Sequence, residues 1–350
     1  MAGRASIISF VRRLWPFLSL ALLLAAIVVT SWAIGSPTLQ RTVTEALIRV
    51  VIVVGLYIFI GNSGVVSFGS VAFMAIGAYA SGWQTCCSNN KAHTLMGLPD
   101  FLRYHTYPLF PASLASGALA AVFALTVGIP IMRLSGIAAG IATLSVLAIV
   151  NVIYSNWDSV TLGSLSMVGI PLYVTMWGAL AWAAVSILAA FLYQTSRPGI
   201  ALRAASQDEV AARAAGIDVP RQRLLAWCLS AFFVGMGGVL YAHFLGVINV
   251  AFFYLNMTFI TLAMLIVGGR KSLAGAVSGV IVLSAVAESF RQLEEGITIG
   301  STTVSIPNGL EEVVVAVIMV VILILRPNGI MDGAEIGWPW SSKASSKSVR

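Results

Sequence analysis

The chain has 350 residues, of which 59% are hydrophobic and 9% charged, and its formal net charge at pH 7 is +7. Soluble domains carry roughly 25% charged residues, so this chain has too few polar side chains to cover itself in water. The composition excludes a soluble globular protein and predicts an all-α polytopic membrane protein. We expect one transmembrane domain over residues 1–330 and a loose Ser/Lys-rich tail over residues 331–350.

Uncharged stretches of about 20 residues, the length that spans a bilayer, recur along the first half of the chain. The first of them, 14–34, exceeds the 7–15-residue apolar core of a signal peptide and is predicted to be retained. Residues 50–90 carry no charge and are too long for one span, so we expect a break at Gly61–Gly64. The first six predicted spans are 14–34, 43–60, 64–83, 108–131, 136–155 and 172–193.

The second half repeats this pattern, with a predicted break at 246–249 inside another long uncharged run. Glu45, Arg49 and Glu288 are expected at helix ends, with Glu45 and Arg49 paired one turn apart. The spans then hold no buried acidic relay of the kind that ion-coupled carriers and proton pumps need, which indicates an external energy source. The last four predicted spans are 223–244, 251–268, 272–290 and 309–325, making about ten in all.

The basic residues indicate the orientation of these spans. With the N-terminus placed in the cytoplasm and the spans alternating, 15 of the 20 Lys and Arg residues fall inside and five outside. Because short cytoplasmic loops are enriched in Lys and Arg, this bias predicts that both termini are cytoplasmic. The net positive charge is therefore no evidence for nucleic-acid binding.

The one long polar stretch, Arg197–Arg223, falls on the cytoplasmic side between the sixth and seventh predicted spans, within a segment over residues 195–223. Its local signals predict one short helix, with Pro198 in the first turn and Gly216 at the stop. Glu209 and Arg213 are spaced as a favourable i,i+4 pair, and six alanines favour helix formation. A basic loop can simply orient a membrane protein, but a capped helix of small residues can also lie close against a partner.

The sequence offers no catalytic, metal or cofactor motif. Cys86, Cys87 and Cys228 lack zinc or redox spacing and are read as inert thiols. The three histidines are scattered, and the glycine-rich run that begins at Gly61 lacks the GK[ST] of a phosphate-binding loop. We therefore predict no cofactor and no metal site.

Polar side chains inside apolar spans must find partners or water. They either form hydrogen bonds between helices or line a solute path. Irregular backbone, such as that expected near Gly61–Gly69, is tolerated at membrane depth only where it is buried in protein or lines a cavity. The candidate path residues are Asn62, Ser67, Thr143 and Asn151.

Several segments in combination resemble the permease subunits of bacterial branched-chain amino acid ABC importers, a family that also includes urea and amide permeases. The signature Gly61-x-x-Gly64-x-x-Ser67-x-Gly69 and the terminal Arg326-Pro327-x-Gly329 carry part of the resemblance. The matching residues of the central polar segment include Arg203, Asp208, Glu209, Ala211, Ala212 and Gly216.

The resemblance implies a transport subunit of the bacterial inner membrane that is not itself an enzyme. The implied substrate is a small polar solute, a branched-chain or related amino acid, or alternatively urea or an amide. The implied partners are separate ATPase subunits, a second and usually unlike permease, and a periplasmic binding protein. Arg203–Gly216 then resembles the helix that couples ATP hydrolysis to transport, with Arg203, Asp208, Glu209, Ala211, Ala212 and Gly216 as the coupling residues.

The chain also departs from the family pattern. The outside loop that usually reads Thr-Gly-Gly-[ST]-[ND]-Gly is here Thr161–Met167, which leaves the identity of the solute open. Further departures occur at Ile200 and at Arg270–Lys271. Three rival functions stay open at this stage: a passive channel, an ion-coupled carrier and an intramembrane enzyme.

Overall fold

The structure is a computed structural model that describes residues 2–86, 91, 94–294, 297–299, 302–304, 310–326, 328–333 and 335. The chain forms a helical bundle with two small antiparallel β pairs. The helices are α1 (Ala2–Ile34), α2 (Pro37–Ser63), α3 (Ser70–Thr85), α4 (Asp100–Arg103), α5 (Leu109–Ile131), α6 (Gly136–Asn156), α7 (Asp158–Thr161), α8 (Met176–Thr195), α9 (Arg197–Gln207), α10 (Glu209–Ala214), α11 (Val219–Leu245), α12 (Leu255–Gly268), α13 (Leu273–Glu294) and α14 (Leu310–Leu325). The strands are β1 (Met167–Val168), β2 (Val247–Ile248), β3 (Ile297–Ile299) and β4 (Thr302–Val304), and a 3₁₀ turn covers Val250–Phe253.

Each of the ten predicted spans is helical in the structure. Eight helices in the described part of the chain are long and apolar enough to cross a bilayer. One of these eight is α12 together with the preceding 3₁₀ turn, which make 19 residues over Val250–Gly268. The other two predicted spans, α3 and α14, have 16 residues each. At 1.5 Å per residue each is about 24 Å long, short of the roughly 30 Å hydrocarbon core. The polytopic helical architecture is thus confirmed, whereas the count of ten spans stays a prediction.

Helix α2 begins six residues earlier than predicted. Ser36 caps its N-terminus by accepting a hydrogen bond from Leu39 N, and Pro37 occupies the first turn, where the missing N–H costs nothing. Glu45 and Arg49 therefore lie well inside the helix, and Glu288 lies inside α13 rather than at its end. The expectation that these three charged residues occupy helix ends was wrong.

Helices α2, α3 and α11 form the centre of the bundle. Residues 50–60 of α2 are all buried, which explains why this run contains no charged side chain and only one polar group, the Tyr57 hydroxyl. Trp227 of α11 lies edge-on against Phe59 of α2 and Phe73 of α3, at ring-centroid distances of 4.9 and 5.0 Å. Gly77 of α3 packs against the backbone of α11 so closely that an added Cβ would lie 2.1 Å from the Gly235 carbonyl oxygen. Small residues thus let these helix backbones touch, as in many membrane bundles.

A neighbouring helix supplies a hydrogen-bond partner to the non-helical backbone between α2 and α3. Phe68 N donates to Thr143 Oγ1 of α6 at 3.2 Å, and Thr143 in turn donates to the Gly140 carbonyl. Ser67 and Ser70 hydroxyls bond each other at 3.0 Å. Irregular backbone inside a membrane protein needs such partners because lipid supplies none.

The segment after α14 folds back onto the turn between α12 and α13. Ile330 N donates to Val267 O, and the Glu335 carboxylate accepts from Leu273 N and Ala274 N at the start of α13. Burial raises the pKa of Glu335, against the opposing effect of these backbone donors and of the Arg203 charge. The prediction of a loose tail concerns mainly residues 336–350, which lie outside the described residues.

Candidate functional site

The segment 195–223 contains two helices rather than the single helix predicted. Asp208 has extended backbone (φ −149°, ψ 106°), and its carboxylate accepts hydrogen bonds from Val210 N and Ala211 N. Asp is a preferred N-cap because its side chain satisfies the first free N–H groups of a helix. The chain therefore stops α9 at Gln207 and starts α10 at Glu209, although alanines on both sides favour a continuous helix.

The predicted start and stop signals of the segment are confirmed. Pro198 lies in the first turn of α9, and Ser196 caps it by accepting from Gly199 N. Gly216 follows α10 with φ +82°, a left-handed conformation that glycine adopts without steric cost. Pro220 lies in the first turn of α11, where it helps to start the next span.

Arg203 points into the bundle. Its Nε donates to Asn62 Oδ1 at 2.7 Å, and its Nη2 donates to Tyr57 Oη at 2.9 Å and to Gln194 Oε1 at 2.8 Å. The Tyr57 hydroxyl also donates to Gln194 Oε1 at 2.8 Å. Arginine suits this position because its rigid, always charged guanidinium offers several donors in a fixed fork. The network fastens α9 to α2 and α8.

Glu209 fixes α10 to the start of α11. Its carboxylate accepts from Arg213 at 2.5 Å, which confirms the predicted i,i+4 pair, and from Arg223 at 2.8 Å. Partial burial acts to raise the pKa of Glu209, but the hydrogen bonds from Arg223 and Arg213 outweigh it and hold the pKa below its ordinary value. Only 6% of the Arg223 side chain is exposed, so this is the better-sheltered pair.

Helix α10 has one buried and one open face. Ala212 packs with Ala205 and Val219 in a small separate apolar cluster. Val210 is 80% exposed, and Ala211, Arg213 and Gly216 are exposed beside it. The six residues predicted for coupling therefore divide: Arg203, Glu209 and Ala212 hold the segment in place, Asp208 shapes it, and Ala211 and Gly216 belong to its open surface.

Three of the four predicted path residues make hydrogen bonds inside the protein. Asn62 and Thr143 are completely buried and Ser67 is 1% exposed. Asn62 bonds Arg203 and the Ile58 carbonyl, whereas Ser67 and Thr143 both serve the break between α2 and α3. Asn151 is half-buried and lies eight residues along α6 from Thr143, about 12 Å away along the axis. The structure thus joins Thr143 to the break beside Ser67 but separates both from Asn151.

Sequence reasoning predicted the pairing of Glu45 with Arg49, which the structure confirms, but missed that this pair shares a cleft with a second charged pair. Glu45 and Arg49 of α2 and Glu288 and Arg291 of α13 form two ion pairs that line one cleft together with Ser284. The signal that could have found them is the Ser-Pro pair at the start of α2, which marks a helix N-terminus. Starting α2 there places Glu45 and Arg49 beyond its second turn.

The chain matches a family model for the branched-chain amino acid transport system / permease component over residues 38–323. It belongs to this permease family. The match includes segment 195–223, the break between α2 and α3, and both ion pairs. It confirms the resemblance drawn from the sequence and establishes a multi-pass membrane transport subunit.

Two curated relatives cover most of the permease. The high-affinity branched-chain amino acid transport system permease protein LivM of Escherichia coli strain K12 is 24% identical over 323 residues, covering 82% of this chain and 68% of the relative. LivM of Salmonella typhimurium strain LT2 is 23% identical with the same coverage. No solved structure matches the chain.

Proposed function

We propose that this permease is the membrane subunit of an ATP-driven importer in the bacterial inner membrane, and that segment 195–223 receives the work of a separate ATPase chain. The observation that carries the proposal is the arrangement of the segment. It exposes the small-residue face of α10, while Arg203 and Glu209 fasten its other side to α2, α8 and α11. Movement of α10 would therefore be transmitted to the spanning helices.

The distribution of basic residues supports a cytoplasmic location for this end of the molecule. Arg203, Arg270 and Lys271 line one cleft, and Arg223 donates to the Leu134 carbonyl next to Arg133. We call this the basic end. The positive-inside rule places such an end in the cytoplasm, and both termini then lie on that side, with residues 1–330 acting as one transmembrane domain.

The partners follow from the transport class. An importer of this kind needs ATPase subunits, a second permease that completes the pore, and a periplasmic protein that delivers the solute. At the end opposite the basic end, β1 of the unusual Thr161–Met167 loop pairs with β2, and Asn249 Nδ2 donates to Ser164 O and Ser166 Oγ. This joined pair of loops is the surface that we assign to the delivering protein.

We assign an amino acid, branched-chain or related, as the solute, because the relatives are named as branched-chain amino acid permeases. Urea or an amide is the alternative within the family. For the path itself, the break between α2 and α3 with Asn62, Ser67 and Thr143 would act as the moving joint, and Asn151 would face the solute.

The experiment replaces Val210 by Glu and measures how much ATPase co-purifies with the permease from membranes that express the whole complex. A new carboxylate at this 80% exposed position leaves the bundle intact but places a charge in the proposed contact. We expect at least a tenfold loss of bound ATPase and of ATP-driven uptake. Val168→Glu is the matched control, since Val168 is 69% exposed in β1, away from the basic end.

Two results would contradict the proposal. Undiminished ATPase binding by the Val210→Glu complex would show that the exposed face of α10 does not contact the ATPase. Uptake that continues without ATP hydrolysis would indicate a passive channel, and uptake that an uncoupler abolishes at constant ATP would indicate an ion-coupled carrier.

A further inference from the structure

Two clefts adjoin between α2, α12, α13 and α14. The first is polar, has a volume of about 40 Å³ and contains the two ion pairs and Ser284. The second is apolar, with a volume of about 210 Å³. Arg49 and Ala287 line both, so a charged cleft and an apolar cleft lie side by side at these two residues.

The polar cleft holds both signs of charge. Arg49 bonds Glu45 at 2.5 Å, and Arg291 bonds Glu288 at 2.7 Å. The side chains of Glu45, Arg49 and Glu288 are only 24%, 21% and 15% exposed. Charges in membrane helices are costly to bury and are kept where they serve a solute or ion pathway. Two acids and two bases together suit a ligand that itself carries both charges.

Two donors of residues that line this cleft have no hydrogen-bond partner among the residues that the structure describes. The Arg49 Nε and the Ser284 hydroxyl are buried without one, and Ser284 is 6% exposed. An unpaired buried donor is unfavourable and rare in native proteins. Both donors are of the kind that binds a carboxylate, and the nearby acidic side chains have lone pairs left to accept from an ammonium group.

The apolar cleft begins where these charges end. The described wall residues from α12, α13 and α14 carry no further charge, and apart from the Asn256 amide they are aliphatic, aromatic and thioether side chains. These include Phe259, Ile260, Met264, Leu283 and Met319. The aliphatic side chain of a ligand anchored at Arg49 would enter this space, and the transfer of its apolar surface out of water would favour binding.

We propose that the adjoining clefts bind an α-amino acid as a zwitterion. Its carboxylate accepts from Arg49 Nε and Ser284 Oγ, its ammonium group donates to Glu288 and Glu45, and its branched aliphatic side chain occupies the apolar cleft. The inference rests on the proposed function, because it assigns a binding site inside this subunit to the imported amino acid.

The first test uses a ligand series. The purified whole complex in lipid nanodiscs, without the periplasmic protein and without ATP, is equilibrated with radiolabelled leucine and unlabelled competitors. 4-Methylpentanoate lacks the ammonium group and 3-methylbutylamine lacks the carboxylate. Each lacks one of the two charged groups and so forfeits all the hydrogen bonds proposed for that group; we therefore expect both to compete at least a hundredfold more weakly than leucine. Alanine, which lacks most of the apolar side chain, should compete at least tenfold more weakly. Equal competition by the amine or the acid would overturn the zwitterion assignment.

The second test uses Ser284→Ala. The Ser284 hydroxyl has no partner among the described residues, so its removal breaks no hydrogen bond to them. A merely structural role therefore predicts no loss of leucine affinity, whereas the proposal predicts at least a tenfold rise in Kd. Ser278→Ala on the same helix is the matched control; that hydroxyl bonds the Gly275 carbonyl far from the clefts. Ala287→Leu, which enlarges a side chain that lines both clefts, should abolish binding.

ATP-driven leucine uptake by the same preparations separates the two proposals. If the wild-type complex imports leucine but Ser284→Ala and Ala287→Leu leave its Kd unchanged, the site is wrong and the proposed function stands. If the wild-type complex imports no amino acid at all, the proposed function fails and this site fails with it.

Discussion

Replacing Arg203 by Ala should release helix α9 from the bundle. The change removes the hydrogen bonds to Asn62, Tyr57 and Gln194. Tyr57 and Gln194 still bond each other at 2.8 Å, so the largest penalty falls on Asn62 Oδ1, which stays completely buried and loses its donor. With charge-assisted bonds worth about 1.5–3 kcal/mol and an orphaned acceptor costing about 1–3 kcal/mol, the local opening of α9 should become easier by about 3 kcal/mol.

Amide hydrogen exchange of α9 measures this opening directly. A difference of about 3 kcal/mol corresponds to exchange on the order of 100-fold faster, since each 1.4 kcal/mol is tenfold. Arg197→Ala is the matched control, because Arg197 starts the same helix but is exposed. Unchanged protection of α9 in Arg203→Ala would refute the reasoning that this network holds the segment.

Two further predictions concern contacts of the same kind elsewhere. The pKa of Glu209 is held below its ordinary value in the folded protein. The ionised Glu209 therefore stabilises the anchoring of α10 fully at pH values above the ordinary carboxyl pKa, and this stabilisation is lost as the pH falls through the folded-state pKa. The protection factors of α10, which correct for the slower intrinsic exchange in acid, should therefore fall at acidic pH in the wild type and lose this dependence in Glu209→Gln. Thr143→Val removes the acceptor of Phe68 N at the break and should cost about 1–3 kcal/mol, seen as a lower Tm, whereas Thr143→Ser should retain it.

The sequence predicted the helical segments well because long uncharged runs are themselves the physical requirement for spanning a bilayer. It failed at the start of α2, where an apolar-run criterion ignored the cap made by Ser36. The predicted span 43–60 therefore put Glu45 in the first turn, because hydropathy alone does not show where a helix begins. Capping signals, which are local and readable, would have placed it inside the helix.

The role of Arg203 could not be read in the same way. Its partners Asn62 and Tyr57 are 141 and 146 residues away in the chain, and only the packing of α9 against α2 brings them together. The break at Asp208 is an intermediate case. Its N-cap chemistry is visible in the sequence, but the surrounding alanines favour a continuous helix, and nothing local decides between the two.

The close contact between α3 and α11 has a consequence for how the protein is made. Gly77 lies against Gly235, so the surface that buries α3 is synthesised 158 residues after it. At about 5–20 residues per second, the ribosome needs roughly 8–30 s to supply it. In the finished bundle α3 packs mainly on α11 and α5, and nearly all of its 16 residues are buried. Until α11 is made, α5 is therefore the main cover of α3, and we expect the biogenesis of this permease to hold α3 against α5 in the membrane until its later partner arrives.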